Sequence, residues 1–250
     1  MNLVAGIHPV EILLDEAPAR VKALYVLPRK KPSLRVAALM EKARALGIPV
    51  TAVPPDKAPS LGIPHQGVWA RVADFAYTPL DAWLAGEIGR VSSTLLILDG
   101  ITDPRNLGAI LRSAACLGCR GVLLPRDRSA AVTPAAWKAS AGAAGVLPVI
   151  RETNLARCIR RLKKEGFWIF GTHVAEGIPL PEAPWAERSA IVLGSEGKGV
   201  RPLLRSLCDM LLVIPMTGPV TSLNVSVAAG IVLYERIRGG DTPRGRDEIA

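Results

Sequence analysis

The sequence predicts an α/β protein, a small α/β unit followed by a larger one built on a largely parallel sheet. Three observations carry that reading. From residue 94 onward, short apolar runs alternate with helical periodicity, the pattern of strands joined by crossover helices that cover both faces of a sheet. Residues 21–75 hold strands and helices of their own. With 250 residues, 49% of them hydrophobic, the chain can bury one large core or two modest ones.

In the first unit "VKALYVL" (21–27) reads as a strand and "SLRVAALMEKARALG" (33–47) as a helix with Ser33 as its N-cap. "IPVTAV" (48–53) and "HQGVWARVADF" (65–75) complete it, and the turn-rich "PPDKAPSLGIP" forms an internal loop. "AYTPLDAWLAGEIGR" (76–90) reads as a linker, so one unit spans 1–75 and the other 91–240. The second unit runs from "TLLILDG" (94–100) through a helix at 106–118, "GVLLP", a helix at 134–144, "LPVI", a helix at 154–165 and "FWIFGTH". "AIVLG", a helix from about 200, "LLVIP" and a last helix at 224–238 follow. Such sheets bind ligands at the carboxyl ends of their strands. The tail at 241–250 is expected to be disordered.

Composition narrows the function classes. No apolar run reaches the roughly 18 to 20 residues of a membrane span; the longest contender, Val225 to Tyr234, is bounded by Asn224 and Glu235. The N-terminus lacks a basic stretch followed by a small-residue cleavage site, so a soluble, cytoplasmic protein is expected. Of four cysteines only Cys116 and Cys119 are close, and no second ligand pair accompanies their C-x-x-C spacing, so no metal is expected. The formal charge of +9 suggests a polyanionic partner such as ribosomal or transfer RNA. Basic residues outnumber acidic ones 10 to 6 over residues 1–74 and 21 to 16 over the rest, so the excess is not confined to one tail. Helix 154–165 sets Leu155, Cys158, Ile159 and Leu162 on one stripe, with Arg157, Arg160, Arg161, Lys163 and Lys164 as a face for RNA or for solvent. Amides are scarce, with Gln66, Asn2, Asn106, Asn154 and Asn224 the whole set, which fits a thermophile or GC-rich coding equally well.

Three loops at strand ends carry the chemistry. In "LDGITDPRNLGAILRSAACLG" (98–118), Asn106 opens a helix as an N-cap or as a ligand group, and Arg112 suits a phosphate. Gly108, four residues before Arg112, leaves room for a ligand to approach it. "IVLGSEGKGVRP" (191–202) places three glycines and Glu196 after a strand; it lacks the Ser or Thr of a P-loop and the G-x-G-x-x-G of a dinucleotide site. In "IPMTGPVTSLNVSVA" Ser222 or Asn224 caps the last helix or faces a ligand. Asn106, Arg112, Glu196, Ser222 and Asn224 contain no His or Cys for a nucleophile triad, and His8, His65 and His173 lie outside these loops. Such a set positions a substrate and stabilises charge.

These stretches resemble the three motifs of the SpoU (TrmH) class of RNA ribose 2′-O-methyltransferases, in register over almost all of residues 94–238. "DRSA" (127–130), "TNLAR" (153–157) and the N-terminal "GIHPV" and "HQGVWARV" are most similar to members that methylate a guanosine of 23S ribosomal RNA. The resemblance implies an RNA-binding domain of ribosomal-protein type ahead of a SPOUT methyltransferase domain threaded into a trefoil knot. It implies S-adenosylmethionine as methyl donor, 23S ribosomal RNA as substrate and a homodimer. Carried over residue by residue, Thr172, Gly194, Ile214 and Leu223 contact the cofactor, with Gly171 nearby. Asn106, Arg112, Glu196, Ser222 and Asn224 face the reacting ribose and its phosphate. A transfer-RNA methyltransferase or a non-catalytic ribosome-assembly factor would share the fold.

Overall fold

The computed structural model describes residues 2–28, 33–58, 65–195, 197 and 199–239. The first unit contains β1 (Asn2–Ala5), α1 (Ile7–Glu16), β2 (Val21–Val26), α2 (Leu34–Ala45), β3 (Val50–Ala52) and β4 (Val68–Val72). Its sheet has the order β1-β4-β2-β3, with β4 antiparallel to both neighbours and β3 parallel to β2. Ser33 caps α2 as expected, its Oγ accepting the Val36 N–H at 3.3 Å. Neither β1 nor α1 was foreseen in the sequence, and α1 has a distant cap. Gly6 has no side chain to offer, and the Ile7 N–H is taken by Gln66 Oε1 at 3.0 Å, from a turn in which Gln66 holds φ 52°. The single glutamine therefore has a structural task.

The second unit contains α3 (Leu80–Ala85), β5 (Ser93–Asp99), α4 (Pro104–Cys116), β6 (Gly121–Pro125), α5 (Pro134–Ala139), β7 (Val149–Glu152) and α6 (Leu155–Lys164). It continues with β8 (Trp168–His173), β9 (Ile178–Pro179), β10 (Arg188–Gly194), α7 (Pro202–Arg205), β11 (Met210–Val213) and α8 (Val225–Gly239). Its seven strands, in the order β7-β6-β5-β10-β8-β11-β9, are all parallel. Helices cover both faces, which is why β5 is apolar from Leu95 to Leu98 without alternation. Leu96 and Leu98 pack with α4, α5 and α8, whereas Leu95 and Ile97 pack with α3, α6 and α7. Each such fully buried side chain contributes about 1.5–3 kcal/mol.

The segment read as a linker is ordered around α3. Leu80, Trp83 and Leu84 are buried, and Trp83 Nε1 donates to the Arg120 carbonyl at 2.9 Å. The first unit rests on the second through Arg20, which donates to the Gly145 carbonyl at 3.3 Å and lies over the rings of Phe75 and Trp137. The helix expected at 134–144 is broken for the same contact. α5 stops at Ala139, Ala141 and Gly142 take positive φ, and a 3-10 turn at Ala143–Gly145 meets Ile12 and Leu13 of α1.

Gly108 does not open a path to Arg112. It is buried where α4 crosses α5, and a Cβ there would meet the Ala136 carbonyl and the Ala139 side chain. Gly108→Ala is expected to lower stability by about 1–3 kcal/mol through overpacking, seen as a depressed midpoint in thermal unfolding. Among the described residues no helix is long and apolar enough to cross a membrane. The tail at 241–250 lies outside the described residues.

Candidate functional site

The carboxyl ends of β5, β8, β10 and β11 carry the site. After β5 the chain turns at Gly100, with φ 79°, and enters α4, whose N-cap is Asp103; its side chain accepts the Arg105 N–H at 2.8 Å. Pro104 holds the first helical position, where its missing N–H is no loss. Asn106 is therefore not the cap but sits inside the first turn of α4. Its Oδ1 accepts Asn224 Nδ2 at 3.1 Å. Asn224 in turn caps α8, its Oδ1 accepting the Ser226 N–H at 2.9 Å and the Ser226 hydroxyl at 2.6 Å. One amide thus fixes a helix start and joins two loops that lie 118 residues apart in sequence.

Asn224→Ala removes the cap and the bridge together. A loss of about 1 kcal/mol of stability is expected from the cap alone, read as a lower urea midpoint, with a larger proportional loss of any activity that uses Asn106.

After β10 the chain folds back on itself. The Gly199 N–H donates to the Ser195 carbonyl at 2.9 Å, and Gly197 and Gly199 hold φ 83° and 62°. Gly194 lies directly under this turn, where a Cβ would collide with the backbone of Gly199 and Val200. The turn is tied to β5 by Arg201. Its backbone N–H and its Nε donate to Asp99, which is 2% exposed, at 2.9 and 2.7 Å. This pair was not anticipated, although an aspartate ending the apolar run "TLLILDG" is a signal that could have found it.

Between the turn, the end of β8 and the loop after β11 lies a cavity of about 490 Å³. Thr172, Gly194, Ile214, Leu223 and Ser222, all singled out in the sequence, line it. Thr172 Oγ1 is held by the Val192 carbonyl at 3.2 Å. Leu193, Val200, Val225 and Ala228 add apolar wall, and glycine backbone supplies close polar approach, a lining suited to a ligand with one flat apolar part and a few polar atoms. His173 and Arg205 also line it, although no histidine was expected at the site; His173 directly follows Thr172 at the end of β8. Asn224 adjoins two lining residues, Leu223 and Val225.

Arg112 is exposed on α4 and makes no ion pair among the described residues; no hydrogen bond joins it to the other candidates there. Glu196 lies outside the described residues. Burial pushes the Cys119 thiol up to about 12, Cys158 to about 11 and Cys208 to about 12, so these thiols stay protonated at neutral pH. Among the described residues no three His, Cys, Asp or Glu side chains converge as metal ligands would. On α6, Arg157, Arg161 and Lys163 pair with Glu152, Glu165 and Asp209, whereas Arg160 and Lys164 make no ion pair among the described residues.

The sequence family described as SpoU rRNA Methylase matches residues 93–234, the whole sheet and every loop just described. The chain belongs to the SpoU rRNA methylase family. A second family, RNA 2′-O ribose methyltransferase substrate binding, matches residues 3–78. The chain is 45% identical over 242 residues to the 23S rRNA (guanosine-2′-O-)-methyltransferase RlmB of Coxiella burnetii, covering 96% of each. It is 40% identical to the Escherichia coli K12 enzyme of the same name, covering 95% of this chain and 98% of that one. The crystal structure of the SpoU methyltransferase AviRb from Streptomyces viridochromogenes, in complex with AdoMet, superposes with a TM-score of 0.78. That match has 24% identity and covers 94% of this chain and 89% of the other, and it establishes a shared fold. The two-unit organisation, a substrate-binding unit ahead of a methylase built on a parallel sheet, is therefore that of the SpoU enzymes.

Proposed function

We propose that this protein transfers a methyl group from S-adenosylmethionine to the ribose 2′-hydroxyl of a guanosine in 23S ribosomal RNA. The observation that carries the reading is the glycine-walled cavity beside the bonded Asn106–Asn224 pair, in a chain 45% identical to an enzyme of that activity over 96% of its length. Bound S-adenosylmethionine supplies an electrophilic methyl group. Thr172, Gly194, Ile214 and Leu223 hold it, largely through backbone groups. Asn106 and Asn224, each fixing the other, orient the ribose so that the hydroxyl is aligned for attack, and alignment supplies much of the rate.

Arg112 binds the phosphate beside the target nucleotide and stabilises the developing alkoxide. Because a guanidinium is always protonated at working pH, its part is electrostatic and not that of a general base. Ser222 donates to the target oxygen, and Glu196 holds Arg112 or Asn106 in place. In this reading residues 1–75 form the RNA-binding domain, of ribosomal-protein type, and 91–240 the methyltransferase domain, with 76–90 between them. The trefoil threading belongs to the same reading, and the insertion of β10 between β5 and β8 supports it. The enzyme acts in the cytoplasm as a homodimer, which the exposed Val220, Val227 and Tyr234 in and after the knot loop favour.

The test is transfer of labelled methyl from S-adenosylmethionine to unmodified 23S ribosomal RNA and, in parallel, to unmodified transfer RNA. Label on the ribosomal RNA alone is the expected result. Label on transfer RNA alone would reassign the substrate, and no label on either, with folded protein that binds the cofactor, would favour an assembly factor.

A further inference from the structure

Two hydrogen-bond donors meet on the cavity wall, and among the described residues no acceptor joins them. His173 Nδ1 accepts the backbone N–H groups of Glu176 at 2.8 Å and Ala175 at 3.3 Å, so the neutral imidazole carries its proton on Nε2. That Nε2 lies 3.1 Å from Arg205 Nη1, and a guanidinium has only donors to offer. The carboxylate nearest to Arg205 among the described residues, Glu176, is 3.9 Å away on a side chain 69% exposed, too far for a hydrogen bond and open to water. Both His173 and Arg205 line the cavity, and its described lining contains no Asp or Glu.

Two N–H groups this close, one of them on a permanent cation, match an anion whose oxygen atoms accept from both at once. The rest of the described lining is glycine backbone, apolar side chains and the hydroxyls of Thr172, Ser195, Thr221 and Ser222, with no other charged group. An anion held by this pair inside the cavity therefore fits a ligand that also has an apolar part. We infer that the His173–Arg205 pair binds the α-carboxylate of S-adenosylmethionine and so fixes the amino-acid end of the cofactor. The inference rests on the cavity being the cofactor site. It makes Arg205 a binding residue that discriminates the intact cofactor from analogues without a carboxylate, with His173 as its partner.

The test is equilibrium binding, by calorimetry, of S-adenosylmethionine and of decarboxylated S-adenosylmethionine, which lacks only the carboxylate. The wild-type protein is expected to prefer the intact cofactor by about 10- to 100-fold, the range of a charge-assisted hydrogen bond. In Arg205→Gln that preference disappears because affinity for the intact cofactor falls while affinity for the decarboxylated form holds. Arg205→Lys, which keeps the charge, retains part of it, and His173→Asn reduces it. A glutamine variant that keeps the full preference, or that loses both ligands equally, overturns the inference. So does one whose cofactor preference is intact while its affinity for ribosomal RNA drops, since the pair would then serve a phosphate. A wild-type protein that binds neither ligand overturns the cofactor reading of the cavity itself.

Discussion

Arg112→Ala lowers methyl transfer by about a hundred- to a thousandfold, the range seen when a preorganised charge-stabilising donor is removed, while folding and cofactor affinity stay at wild-type values. The structure gives both halves of this expectation. Arg112 is exposed and makes no ion pair among the described residues, so its loss strands no buried partner, and stability should move by less than about 0.5 kcal/mol. It also does not line the cavity, so cofactor binding has no reason to change. The effect should fall mainly on kcat if the guanidinium acts on the developing alkoxide, and on KM for RNA if it only grips the phosphate. Steady-state kinetics with ribosomal RNA, beside calorimetry with cofactor alone, separates these. Wild-type turnover in a folded, cofactor-binding variant would remove Arg112 from the mechanism.

Gly194→Ala, by contrast, is expected to weaken cofactor binding sharply. The added Cβ falls on the backbone of Gly199 and Val200, which cannot rotate away as a side-chain tip would. Either the turn opens or the end of β10 shifts. The turn is anchored through Arg201 to Asp99, which stands beside Gly194 in the sheet register, so the displacement also strains that buried contact. Affinity for S-adenosylmethionine is expected to fall by more than about a hundredfold, with a loss of about 1–3 kcal/mol in stability from overpacking. Calorimetry and thermal unfolding read the two effects. Near-normal affinity would mean that the turn is not part of the cofactor wall.

Most of the second unit was legible because its elements are determined locally. "TLLILDG", "GVLLP" and "AIVLG" are apolar throughout since helices cover both faces of the sheet, and the stripe on α6 matches its buried residues Leu155, Cys158, Ile159 and Leu162. What escaped was decided by distant contacts. α1 starts at a glycine and borrows its cap from Gln66, 59 residues later. α5 breaks at Ala141 and Gly142 because α1 packs into the gap. The start of α4 was misplaced for a local reason, since Asp103 followed by Pro104 is a better helix opening than Asn106.

The site shows the same division. Asn106, Asn224, Gly194 and Ser222 belong to recognisable loops and helix starts; the structure bonds Asn106 to Asn224 and sets Gly194 and Ser222 on the cavity wall. Periodicity gave no means of seeing that the glycine at 108 serves helix packing, or that His173 and Arg205, 32 residues apart, meet on the cavity wall. Asp99 and Arg201 are separated by 102 residues and are joined only in the folded chain.

The most direct test of the central claim is the chemical identity of the product. Unmodified 23S ribosomal RNA is incubated with the protein and labelled S-adenosylmethionine, digested to nucleosides and separated by chromatography with mass detection. A single labelled species, 2′-O-methylguanosine, formed at least about a hundredfold more slowly when Arg112→Ala replaces the wild-type protein, is the predicted result. Label on a base, on another ribose, or undiminished with Arg112→Ala would contradict the assignment of this crevice to guanosine ribose methylation.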